Sequence, residues 1–76
     1  MGADIIGEYE IEYAGIQLHD APGWAAHVAI YGPSHNPMHR NIIFADQRVL
    51  VETVFDSQQA AEDEAHKVAL SMLANP

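Results

Sequence analysis

Val49-Leu50-Val51-Glu52-Thr53-Val54-Phe55-Asp56-Ser57-Gln58-Gln59-Ala60-Ala61-Glu62-Asp63-Glu64-Ala65-His66-Lys67-Val68-Ala69-Leu70-Ser71-Met72-Leu73 decides the fold. It reads as a β-strand that turns directly into a C-terminal helix. Val49, Val51, Thr53, Val54 and Phe55 are β-branched or aromatic residues, which fit a pleated surface. Asp56 and Ser57 can each accept a hydrogen bond from the orphan amides of a first helical turn. Ala61, Ala65 and Ala69 then recur every four residues, with Val68, Met72 and Leu73 beside them. That is one apolar stripe at helical spacing. Its alanines are small, so the helix axis can lie close to the sheet it covers.

Upstream, Glu8 to Tyr13 alternates with period two. Glu8, Glu10 and Glu12 fall on one side and Tyr9, Ile11 and Tyr13 on the other, the pattern of a half-buried strand. Ile16-Gln17-Leu18-His19 resumes the alternation on even numbers instead of odd. A bulge at Ala14-Gly15 would keep all these apolar side chains on one face; a tight turn there would instead make a hairpin. Asp20-Ala21-Pro22-Gly23 has turn composition. Trp24 to Tyr31 is the second strand, with Trp24, Ala26, Val28 and Ile30 toward the helix and Ala25, His27, Ala29 and Tyr31 away from it. Gly32 to Arg40 carries two prolines and reads as a loop. Asn41 to Ala45 is a third strand, Asp46-Gln47 a turn and Arg48 to Phe55 a fourth strand. The competing reading is one continuous third strand with a bulge at Asp46. The helix runs from about Ser57 to Ala74, and residues 1–7 form a loose lead-in.

These elements predict one α+β domain over residues 1–76: a three- or four-stranded antiparallel sheet with one C-terminal helix packed on one face. Tyr9, Ile11, Tyr13, Ile16, Leu18, Trp24, Val28, Ile30, Phe55, Ala61, Ala65, Val68, Ala69 and Met72 are the expected core. With 76 residues and no cysteine, neither a disulfide framework nor a cysteine-based zinc site can support the fold.

Nearly half the residues are hydrophobic (49%), which argues against a disordered chain. No apolar run approaches the ~20 residues of a membrane span, and the first residues lack the basic-then-apolar pattern of a signal peptide. A soluble cytoplasmic protein is the expectation. Net charge is −8, with Arg40, Arg48 and Lys67 set against eleven carboxylates. Binding to nucleic-acid phosphates needs clustered Lys and Arg, so nucleic acid is not an expected partner.

Five histidines in so short a chain raise the question of a metal. His35 and His39 stand four apart, a ligand spacing on a helix, but Pro37 lies between them and removes that geometry. They are the candidate metal ligands all the same. His19-Asp20 has the composition of a base and its orienting carboxylate, yet neighbours along a strand point to opposite faces. No nucleophile elbow, phosphate-cradling glycine loop or carboxylate pair is present. The row Glu8, Glu10, Glu12 reads as a solvated face that discourages edge pairing. No catalytic residue and no cofactor are predicted.

The run Phe55-x-Ser57-x-x-x-Ala61-x-x-x-Ala65, with the Trp-led strand Trp24-x-Ala26-x-Val28-x-Ile30, resembles a group of small uncharacterised bacterial proteins of β-β-β-α type. The resemblance spans roughly residues 8–74 and implies a fold, not an activity. The same arrangement resembles the AP2 and integrase N-terminal DNA-binding domains. Those read DNA with a basic sheet face, whereas the matching strands here carry Glu8, Glu10, Glu12 and Glu52.

One helix covers only one face of a sheet. The other would show Ala25, His27, Ala29 and Tyr31, with Ile43 a further candidate, and such faces are seldom left bare. The sequence therefore predicts a non-enzymatic interaction module, a homodimer or a complex with another protein through that face or through a strand edge. The alternatives are a small-ligand or metal-binding domain built on the His35–His39 loop and, remotely, DNA binding.

Overall fold

The computed structural model describes residues 1–33 and 40–74. Four strands, β1 (Gly2–Ile6), β2 (Tyr9–Gln17), β3 (Trp24–Gly32) and β4 (Asn41–Val49), precede one helix, α1 (Gln58–Ala74). The strands pair antiparallel in chain order. The helix crosses β2 and β3 on one face. This is the expected α+β fold, with a four-stranded sheet and a C-terminal helix.

Four segments differ from the sequence reading. The lead-in is a strand: Gly2 to Ile6 pairs with Tyr13 to Tyr9, and Gly7, at φ 61°, takes the left-handed turn that glycine allows. Strand β2 has neither a bulge nor a turn at Ala14-Gly15. It pairs with β3 in unbroken register from Glu10↔Tyr31 to Gln17↔Trp24. Ile16 therefore points away from the helix and is 41% exposed, not part of the core. Asp46-Gln47 is no turn either; it lies inside β4, and the register shifts between Val28 and Ile30 and again between Ile30 and Tyr31. Those shifts place one extra β4 residue at each step, so the competing reading, a continuous strand with a bulge beside Asp46, describes the strand.

The segment 50–54 is not a strand. Leu50 sits in the left-handed region at φ 51° and its carbonyl accepts from the Thr53 amide at 2.9 Å, which closes a turn and ends β4. Val51 and Val54 are consequently exposed. Only Phe55 rejoins the sheet, exchanging two backbone hydrogen bonds with Trp24 at 2.9 and 3.0 Å.

The core is Ile11, Ala26, Val28 and Ile30 from the sheet against Ala65 and Ala69 from the helix. Tyr13, Phe44, Val49, Phe55, Met72 and Leu73 pack around it. Tyr9, expected inside, is half exposed at the end of β2. The three stripe alanines, Ala61, Ala65 and Ala69, are fully buried. A Cβ at Gly15 would stand 3.0 Å from the Ala61 Cβ and collide with the Gln58 carbonyl. The interruption in the β2 alternation is thus where the helix passes closest, and the strand stays straight beneath it.

Ser57 caps the helix: its Oγ accepts from the Ala60 amide at 3.1 Å. The acidic run Glu62-Asp63-Glu64 begins beyond the first turn, where the macrodipole has largely faded. It is used in pairings instead. Glu62 meets the Met1 amine at 3.0 Å, Asp63 accepts from Gln59 at 2.8 Å, and Glu64 pairs with Lys67 at 3.3 Å. Asp4 of β1 reaches His66 of the helix, Oδ2 to Nε2 at 2.6 Å. Tyr13 stacks on the same imidazole, with centroids 4.2 Å apart and planes 11° from parallel.

Candidate functional site: the helix-free sheet face

The register assigns every strand residue to a face. Directly opposed antiparallel residues share a side, so Ala3 and Ile5 of β1 lie with Glu12 and Glu10 of β2. Glu10, Glu12, Ala14 and Ile16 lie in turn with Tyr31, Ala29, His27 and Ala25 of β3, and Tyr31 and His27 with Ile42 and Arg48 of β4. The structure gathers Ala25, His27, Ala29 and Tyr31 in one row on this face, as the sequence placed them.

Their exposure is not what the sequence suggested. Ala25 and Ala29 are only 2% exposed. The apolar surface that remains open is Ile5, Ile16 and Ile42, at 76, 41 and 60%. Sequence alternation missed these three. The segment of Ile5 reads as a loose lead-in, a bulge at Ala14-Gly15 would turn Ile16 toward the helix, and Ile42 sits where bulges disturb the period of β4.

The face carries charges of both signs. Arg40 Nη2 donates to Glu10 Oε2 at 3.0 Å and lies 3.8 Å from Glu12 Oε2. Its guanidinium sits 3.4 Å above the Tyr31 ring, a cation–π contact. His27 Nδ1 stands 3.6 Å from Asp46 Oδ1. Arg48 is different. Its Nη2 donates to the Thr53 carbonyl at 3.2 Å, its Nε is buried without an acceptor, and among the described residues no carboxylate lies within ion-pair distance of it. Two of the three basic residues of a chain with net charge −8 therefore border this one face.

His19 and Asp20 lie beyond the end of β2, both exposed, in the bend that leads to β3. Glu8 sits in the β1–β2 turn, so the glutamate row on the sheet is reduced to Glu10 and Glu12, both served by Arg40. His35 and His39, the candidate metal ligands, lie outside the described residues. Among the described residues no three His, Asp or Glu side chains are close enough together to hold a metal ion. Likewise, no helix among them is long and apolar enough to cross a membrane.

Comparison of the chain with protein-family models, with curated proteins and with solved structures finds no match.

Proposed function

We propose that this chain is a non-enzymatic interaction module that associates with a second copy of itself through the helix-free sheet face. The observation that carries the reading is the combination on one face of three open isoleucines, Ile5, Ile16 and Ile42, with carboxylates already paired to Arg40 and to His27. A chain of charge −8 repels its own copies, and two of its three basic residues, Arg40 and Arg48, border this face.

Size supports the same reading. The principal extents are 42 × 25 × 17 Å, the thin dimension of one sheet and one helix. The broad side projects roughly 1,000 Å², enough for the ~800 Å² that each partner gives to a standard interface. The Cα radius of gyration, 13.0 Å, exceeds the ~11 Å typical of a compact domain of this length, as a slab with one open side would. The strand edges are poorer candidates. The bulges of β4 interrupt the ladder that an incoming strand would need, and β1 offers only five residues.

Light scattering at high micromolar concentration tests this. The expected mass is near twice the 8.3 kDa of one chain. Ile42→Glu and Ile16→Glu should each give a monomer with an unchanged circular-dichroism spectrum. A monomeric wild type sinks the reading, and so does a dimer that both variants leave intact.

A further inference from the structure

We propose that the cleft at the β2–β3 turn end of the helix-free face binds a small organic monocarboxylate with an apolar body, its carboxylate held by Arg48. A second copy seated on this face would cover Ile16 and compete with the ligand, so the titration is made on the Ile42→Glu protein as well as on the wild type. The cleft measures about 480 Å³, within the ~300–1,000 Å³ of small-ligand sites. Ile16, Leu18, Ala21 and Ala25 give it an apolar wall, and Gln17, His19, Asp20, His27 and Arg48 line the rest. An apolar wall with a few convergent donors is the usual composition of such sites.

Arg48 gives the ligand its class. Arg40 has Glu10 and Lys67 has Glu64, but Arg48, half-buried, has one backbone carbonyl and an Nε with no acceptor. With no carboxylate within ion-pair distance of it among the described residues, the Arg48 guanidinium keeps its charge available to an anionic ligand in the cleft. Carboxylate geometry matches the guanidinium fork, and His27, directly opposite Arg48 in the ladder, adds an imidazole to the same wall. Asp20 lines the mouth and Asp46 stands beside His27, so a dianion such as phosphate meets repulsion that a monoanion meets less.

Benzoate, benzamide and inorganic phosphate, titrated into isotopically labelled protein and followed by amide NMR, test the assignment. Benzoate should give saturable shifts at Leu18 to Ala21, Ala25, His27 and Arg48 with millimolar or tighter affinity, and the other two should not. Arg48→Gln should weaken benzoate roughly tenfold or more. Ala21→Glu, which adds a competing carboxylate at an exposed position, should weaken it comparably and serves if Arg48→Gln does not fold. Absence of saturable shifts overturns the proposal. Equal binding of benzamide removes the role of charge, and equal binding of phosphate removes that of the apolar wall; either result overturns it too. Undiminished binding in a folded Arg48→Gln, or in Ala21→Glu, does the same.

Discussion

Gly15 of β2 lies directly under Ala61 of the helix, so close that a Cβ on Gly15 would stand 3.0 Å from the Ala61 Cβ and overlap the backbone of Gln58. Gln58 Nε2 also reaches the Gly15 carbonyl, at 3.4 Å. The obstacle to a side chain is helix backbone, which cannot swing aside as a flexible side chain can. Gly15→Ala should therefore destabilise the fold by ~1–3 kcal/mol, the usual cost of overpacking, even though alanine suits a strand better than glycine. Urea unfolding checks this, and a midpoint at or above wild type would show that the helix can lift away.

The Ser57 hydroxyl is the described partner of the Ala60 amide. Ser57→Ala should cost about 1 kcal/mol, with no change in the sheet. Ser57→Asp should keep most of the stability, because its carboxylate can accept the same hydrogen bond.

Leu50 holds a left-handed conformation at φ 51°, which costs a side-chain-bearing residue ~1–2 kcal/mol. Its side chain is 40% exposed, so little packing is lost on truncation. Leu50→Gly removes the backbone strain but adds ~0.5–1 kcal/mol of unfolded-chain entropy. The net expectation is neutral to about 1 kcal/mol stabilising, read from the thermal midpoint. Clear destabilisation would mean that the Leu50 side chain holds the turn.

Tyr13 links the N-terminal strand to the helix. Its phenol has a pKa raised above the ordinary tyrosine value, chiefly through desolvation, then through the negative charges of Asp4 and Glu62 and a hydrogen bond to Asp4. The folded protein thus prefers the neutral phenol more than the unfolded chain does. This contribution is fully present below pH ~10, where an unfolded tyrosine titrates, and is lost as pH rises through 10 toward the folded value. Stability should fall with alkaline pH in wild type and fall less steeply in Tyr13→Phe. Parallel alkaline slopes in the two proteins would remove Tyr13 as a source.

The same cluster explains why β1 was illegible. A strand is recognised by apolar residues on the covered side, yet Gly2, Asp4 and Ile6 occupy that side while Ile5 faces out. Gly2 is there because the Tyr13 ring fills the space where its Cβ would be, and Asp4 because His66 awaits it. Neither reason is local to the segment. The helix, its serine cap and the Trp24–Tyr31 strand were legible, because each follows from periodicity and short-range hydrogen bonding. The bulges of β4 were legible only as an alternative to a turn, since polar Asp46-Gln47 looks the same in both. Of the candidate site, the β3 row could be read from alternation. Arg40 over Tyr31 could not, nor could Arg48 with no carboxylate beside it among the described residues, because both depend on pairing between distant strands.

Ile11 and Ile16 provide the sharpest test of the strand's course. A bulge at Ala14-Gly15 would put both against the helix; the straight strand puts Ile11 there, fully buried, and leaves Ile16 on the open face at 41% exposure. Ile11→Ala should then cost ~2–5 kcal/mol, the range for emptying a core position. Ile16→Ala should cost well under half of that in dilute, monomeric protein, because much of its surface is already in water. Raising the protein concentration should widen the Ile16 penalty and leave that of Ile11 unchanged, since only Ile16 gains cover from a second copy. Denaturant midpoints measured at low and high concentration separate the two effects. Equal penalties at both positions in dilute protein would restore the kinked strand and take Ile16 out of the interface.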